Sequence, residues 1–319
     1  MPGSAMIKLI LKYFALIFSL LLCVIFVWAI WEHNRNHLAA LDFGINEIIE
    51  TSNISSQDSI YGEPREYQEV NLSGSAGNIK IYISLPLIIP KEGLPVILIL
   101  GGLQIRRSNF SLIENPGNNA IVIYKYPYDD SGWYDGTALL EIPKIRNAVL
   151  SVPAQVVEVV KWLKEESWCD RRRVSIAGYS FGALFTPAVY RLANKYSVQL
   201  SYGVIAYGGA DIYLMLKANL KKNNFFTREI IALLASTAIF SVDPENHLHH
   251  LNNEFLVING NQDKQIPEES WLLLHNLLPE PKTVLILDDG HMHPRKPELT
   301  TKLVNISRDW LTEKGVINH

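Results

Sequence analysis

RVSIAGYSFGALFTPAVYRLANKY, residues 173–196, decides the fold of this chain. Arg173 to Ala177 reads as a short strand, and Phe181 to about Lys195 reads as a helix. Only Gly178-Tyr179-Ser180-Phe181-Gly182 lies between them, so the chain must pass from strand to helix in one very tight turn. A serine at the tip of such a turn is strained, and both flanking positions must be small to clear neighbouring backbone. The helix that follows aims its first N–H groups and positive dipole end at the serine's surroundings. Taken alone, the pentapeptide is also compatible with a Gly-rich turn carrying a surface serine. The strand before it and the helix after it favour a nucleophile.

A serine alcohol is a poor nucleophile at neutral pH and needs a base, which in turn needs an orienting acid. Downstream, Phe255 to Asn259 reads as a strand running into Gly260-Asn261-Gln262-Asp263. Leu285 to Leu287 leads in the same way to Asp288-Asp289-Gly290-His291. Asp263 and His291 therefore sit in loops at strand ends, on the sheet edge that Ser180 occupies and where open α/β sheets bind ligands. Asp211, Asp288 and Asp289 are rival acids. His293 is the rival base, further from the strand end and next to Pro294. An oxyanion hole needs two backbone donors. The N–H of Phe181 is one candidate, and Gly102 or Leu103, in the turn after the strand Pro95 to Leu100, supplies the other.

The remaining pattern agrees with this placement. Tyr67 to Val70 and Ile79 to Leu85 alternate polar and apolar residues, as half-buried antiparallel strands do. Pro95 to Leu100 and Ala120 to Tyr124 are continuous apolar runs expected of strands buried on both faces. Helical spacing covers 145–165, 268–278 and 298–313, with further strands at 202–207, 254–258 and 283–287. Strands alternating with helices predict a mostly parallel sheet covered on both faces. Residues 212–253 interrupt the alternation and read as a small cap insertion. An aromatic cluster of Tyr126, Tyr128, Trp133 and Tyr134 follows the strand at 120–124. Tyr126 and Trp133, with Tyr179, are candidate pocket residues.

The segment from about Tyr67 to Lys314 resembles the α/β-hydrolase superfamily in its elbow GYSFG, its acid loop GNQD and its histidine loop DDGHMH, in that order. The resemblance implies an eight-stranded, mostly parallel sheet, a Ser180–Asp263–His291 triad, and ester-type hydrolysis through an acyl-enzyme. The turn Leu100-Gly101-Gly102 departs from the His-Gly that many members carry there, which bears on the second oxyanion donor. Ser180 argues against relatives that use Asp or Cys as nucleophile. The expected reaction is cleavage of a carboxylic ester of a small or lipid-like acyl substrate. Peptidase, thioesterase or acyltransferase chemistry on the same triad, or a non-catalytic binding domain, are the alternatives.

The chain of 319 residues carries a net charge of −3, which offers no basic field for a phosphate backbone and argues against nucleic acid as a partner. Its two cysteines, Cys23 and Cys169, build neither a disulfide framework nor a zinc site. His247, His249 and His250 complete no metal pattern, so neither metal nor other cofactor is expected. Residues 13–31 (YFALIFSLLLCVIFVWAIW) carry no charge and approach the roughly 20 apolar residues of a membrane-spanning helix. Lys8 and Lys12 precede the run, which places the N-terminus in the cytoplasm and the rest outside it. A cleaved signal peptide, ending near Val27-Trp28-Ala29, is the alternative. The expected organisation is an anchor over 1–31, a polar spacer over 32–65 and a hydrolase domain over 66–319. Asn53, Asn71, Asn109 and Asn305 begin Asn-X-Ser sequons that matter only in a glycosylating pathway.

Overall fold

The computed structural model describes residues 3–46, 48–60, 63–103, 105–127, 138–293 and 296–319. The chain forms two compact units, residues 1–36 and 37–319. The first is a single helix, α1 (Gly3–Asn34). Its segment Leu9–Asn34, with a mean hydropathy of 2.7, is the one helix among the described residues long and apolar enough to cross a membrane.

The second unit is built on a mixed sheet. Its strands are β1 (Ile49–Ile60), β2 (Glu63–Gly74), β3 (Gly77–Pro86), β4 (Leu94–Leu100), β5 (Ala120–Lys125), β6 (Cys169–Tyr179), β7 (Gly203–Ala206), β8 (Phe255–Gly260) and β9 (Lys282–Leu287). They lie in the order β1-β2-β3-β5-β4-β6-β7-β8-β9. The β1/β2, β2/β3 and β3/β5 pairs are antiparallel and all others parallel. The central strands are apolar along their length because helices bury both faces: every residue of β7 and β8 is buried.

The helices of this unit are α2 (His37–Ala40), α3 (Ala138–Glu165), α4 (Phe181–Lys195), α5 (Ile212–Asn219), α6 (Phe225–Ala238), α7 (Glu268–Leu277) and α8 (Pro297–Glu313). On one face Val304, Ser307 and Leu311 of α8 meet Ile97, Ile99, Ala177 and Tyr179. On the other, α3 and α4 pack on each other and on β6.

Two expectations are corrected. Among the described residues the sheet has nine strands rather than eight, and the extra one, β1, comes from the stretch 32–65 expected to be a spacer. Strand β1 (IETSNISSQDSI) is exposed along its described length, so neither face needs apolar residues and no alternation marks it in the sequence. The same stretch also enters the core: Leu41 is fully buried and Ile45 nearly so. Arg65 is buried too, donating to the carbonyls of Ser84 at 3.1 Å and Asn119 at 2.6 Å.

Residues 212–253 form α5, α6 and three short 3-10 turns between Phe240 and His250. The end of α5 is tied to the loop after β8, where Asn219 Nδ2 donates to the Gln265 carbonyl at 2.9 Å.

Candidate active site

The end of β6 fixes Ser180. Its backbone takes φ 54° and ψ −114°, a region that L-residues avoid. A Cβ on Gly178 would lie 2.1 Å from Thr186 Oγ1, and one on Gly182 would lie 1.9 Å from the Leu100 carbonyl oxygen. Only glycine lets the start of α4 approach the ends of β4 and β6 this closely. The Ser180 N–H donates to the Ala206 carbonyl at 2.8 Å, which ties the turn to β7.

Asp263 follows β8 and His291 follows β9, so both loops open on the edge that carries Ser180. Ser180 Oγ lies 2.7 Å from His291 Nε2, and His291 Nδ1 lies 2.6 Å from Asp263 Oδ2. The Asp263 side chain is fully buried, and its other oxygen, Oδ1, accepts the N–H groups of Gln265 at 2.7 Å and Ile266 at 3.0 Å. The carboxylate is thereby oriented, with Oδ2 left for the imidazole. An acid, a base and an alcohol in this series can move a proton off Ser180 as its oxygen attacks a carbonyl.

The rival groups are engaged elsewhere. Asp211 caps α5 by accepting the Leu214 N–H at 3.2 Å. Asp288 accepts from Gln262 Nε2 at 2.8 Å, and Asp289 pairs with Lys302 at 2.9 Å. His291, rather than His293, is the histidine that meets Ser180.

At the oxyanion position, Phe181 is the first residue of α4, where N–H groups have no acceptor within the helix. Gly102 and Leu103 follow β4, and a Cβ on Gly102 would meet nothing within 4 Å, so the space in front of that turn is open. Gly101 is the constrained member of the pair, since a Cβ there would lie 2.3 Å from Ile105 Cδ1.

The three aromatic residues expected to line a pocket part company. Tyr126 is buried and borders a small apolar niche with Phe181, Phe185 and Val149, while its hydroxyl donates to the Gly101 carbonyl at 2.7 Å. Tyr179 is instead packed under α8, because alternate residues of β6 face opposite sides of the sheet and it shares the side of Ala177. Burial raises the pKa of its hydroxyl to about 12, against a hydrogen bond with Ser307 that lowers it. Trp133, with Tyr128 and Tyr134, lies outside the described residues.

Tyr207 has no counterpart in the sequence reading. It follows β7 with φ 56°, is fully buried, and sets its ring edge-on to His291 at a centroid distance of 5.5 Å. Burial, followed by the nearby charges of Asp289 and Asp263, drives its hydroxyl well above the ordinary range. The sequence signal was a bulky residue directly before Gly208-Gly209 at a strand end.

No curated protein matches the sequence closely enough to count as a relative. Among solved structures, an acetyl xylan esterase from Paenibacillus superposes with a TM-score of 0.61 at 15% identity, over 88% of this chain and 94% of that one. One from Thermoanaerobacterium gives 0.61 at 16%, over 84% and 91%. An acylaminoacyl peptidase from Pyrococcus horikoshii gives 0.55 at 13%, over 84% of this chain and 55% of the peptidase. This chain thus spans about half the length of that peptidase. At these identities the likeness is one of fold. The model of the prolyl oligopeptidase family matches residues 151–314, from the middle of α3 through α8. That match covers half of the chain and includes the elbow, the acid loop and the histidine loop, so the chain belongs to the prolyl oligopeptidase family of the α/β-hydrolase superfamily.

Proposed function

We propose that the chain is a serine hydrolase that cleaves carboxylic esters through an acyl-enzyme on Ser180. The observation that carries the reading is the unbroken series from Ser180 Oγ through His291 to Asp263, with contacts of 2.7 and 2.6 Å. In this mechanism His291 Nε2 takes the hydroxyl proton as Ser180 Oγ attacks the acyl carbon. Asp263 holds the imidazole in the Nδ1–H tautomer and balances the imidazolium that forms. The N–H groups of Phe181 and of Gly102 or Leu103 receive the developing oxyanion. His291 then protonates the departing alcohol, and water activated by the same imidazole releases the acid.

An ester is favoured by the acetyl xylan esterases, which share the fold over nearly their whole length. The reading extends to small or lipid-like acyl groups. A peptidase acting on the same residues is the second reading, and the family match favours it.

The helix over Leu9–Asn34 supports a membrane tether, and Lys8 and Lys12, ahead of its uncharged run at 13–31, support an extracytoplasmic hydrolase domain. A fluorophosphonate probe should label the wild-type protein and fail to label Ser180→Ala. A folded wild-type protein that resists the probe would sink the enzyme reading. A panel of nitrophenyl acyl esters beside peptide anilides, with Ser180→Ala as control, decides between ester and peptide.

A further inference from the structure

Helix α6 is amphipathic in the reverse of the usual sense. A surface helix normally turns its apolar stripe to the core and its charges to water. Here Phe225, Phe226, Ile230, Ile231 and Leu233 are exposed, Phe226 by 76%. The inward side carries Glu229 and small residues such as Ala232 and Ser236. Glu229 accepts from the Tyr213 hydroxyl and pairs with Lys217 at 3.1 Å, so α5 and α6 are clasped by polar groups beneath an apolar outer face. Contiguous exposed apolar surface of this kind marks a face that meets something other than water.

The flanking sequence identifies that partner. Exposed Lys221 and Lys222 lie just upstream of the Phe225-Phe226 pair, across Asn223-Asn224, and Lys221 Nζ lies 3.4 Å from the carbonyl of Lys264, a third exposed cation. Cations beside an aromatic pair at the head of an apolar stripe are the makeup of a helix lying in a membrane interface, with its charges on anionic headgroups and its rings among the acyl chains. The exposed apolar residues run from Phe225 to Leu233, the first nine residues of α6, which extend about 13 Å along the helix axis and can lie flat.

We propose that α6 docks on the surface of a lipid bilayer bearing anionic headgroups, with Phe225 and Phe226 inserted and Lys221 and Lys222 on the phosphates. The inference leans on the tether proposed above only for the bilayer's proximity. It gives the hydrolase domain a contact with lipid of its own. Because the tip of α5 is bonded to the loop that carries Asp263, that contact would lie beside the proposed site.

The test uses the full chain in phosphatidylcholine–phosphatidylglycerol vesicles, with an environment-sensitive fluorophore on Phe226→Cys in a Cys23→Ser background. Cys169 is buried, with its thiol pushed up to about 12 by that burial, and escapes labelling. Quenching by spin-labelled lipid, together with protection from aqueous iodide, is the expected result, and Lys221→Glu with Lys222→Glu should weaken it severalfold.

Quenching by iodide alone overturns the proposal. So does protection from both quenchers that grows with protein density, which would mean a second copy covers the face. Leu233→Cys repeats the measurement should Phe226→Cys fail to fold. A fluorophore at Phe18→Cys in the same background reads the tether separately, so failure at 18 with lipid contact at 226 removes the tether and leaves this proposal standing.

Discussion

Ser180 sits at φ 54° and ψ −114°, a conformation that costs a non-glycine residue roughly 1–3 kcal/mol and persists only where its surroundings enforce it. Gly178 and Gly182 are part of that enforcement, and the hydrogen bond to Ala206 is another. Asp263 shows the same economy. Its Oδ1 is taken by two backbone N–H groups, so in Asp263→Asn the amide oxygen should stay there and the NH2 should face His291. Two donors cannot share a bond, so the imidazole would be driven to the Nε2–H tautomer, which cannot take the Ser180 proton. The expected outcome is a fall in kcat of roughly 10³–10⁴-fold with the fold retained. An Asp263→Asn enzyme with wild-type turnover would remove Asp263 from the mechanism. Tyr126 is bonded to the turn proposed to receive the oxyanion. In Tyr126→Phe the ring should keep its edge contact with Phe181, 5.0 Å between centroids, while the Gly101 carbonyl loses its donor. Leaving that group unpaired costs about 1–3 kcal/mol and frees the turn that carries Gly102 and Leu103. We expect kcat to fall about tenfold with little change in KM. An unchanged kcat would show that Tyr126 does not hold the oxyanion turn.

Between β7 and β8 the chain is pinned by buried polar groups, and His247 is the most informative of them. Its Nε2–H donates to the Ser241 carbonyl at 2.8 Å, while Nδ1 lies 3.4 Å from Arg191 Nη1, so a proton on Nδ1 would face a guanidinium. Burial first, with the Arg191 charge adding to it, lowers its pKa from 6.5 to about 3. Between those two values the unfolded chain binds a proton that the folded chain does not. Stability therefore rises with pH across that window and levels off above it, by up to about 1.4 kcal/mol per pH unit. His275, lowered to about 4, acts in the same sense. Asp243, raised by burial to about 7, acts in the opposite sense between 3.8 and that value. The contribution of His247 is isolated by subtraction: the urea midpoint of His247→Gln should fall less than that of wild type between pH 7 and pH 5. Parallel curves for the two proteins would show that His247 is not the acid-sensitive group.

Elements of this kind also show what the sequence can reveal. Strands β4 to β8 and helices α4, α7 and α8 are legible because burial on both faces of a strand, or one face of a helix, forces a run or a period. The loop positions of Ser180 and Asp263 follow from the ends of β6 and β8, and that of His291 from the apolar run of β9. Strand β1 is invisible because an exposed edge strand imposes no pattern, and Tyr207 because its meaning depends on β7 lying between β6 and β8. The inward aim of Tyr179 was within reach, since it follows from counting alternate residues along β6.

At the scale of the whole molecule, the division at residue 36 makes a sharp prediction about where the chain can be cut. Ser180, Asp263 and His291 all belong to the unit 37–319, and so does every strand of the sheet. Removing residues 1–36 should therefore abolish retention in the membrane pellet after alkaline carbonate extraction and leave hydrolysis of a soluble ester within about twofold of wild type. The boundary is tighter than composition suggests, because the polar stretch after α1 is not a spacer throughout. Leu41 and Ile45 are buried in the core, the Ile45 N–H donates to the Tyr196 hydroxyl at 3.3 Å, and Asp42 is bonded to both Lys195 and Tyr196 at the end of α4. A cut at residue 48 would strip two buried aliphatic side chains, each contributing about 1.5–3 kcal/mol, from the end of the helix that begins next to Ser180. The shorter truncation should melt near the full-length protein, and the longer one many degrees below it with activity lost on heating. Equal melting temperatures for the two truncations would show that residues 37–48 are a linker after all, and would return the domain boundary to the edge of the sheet.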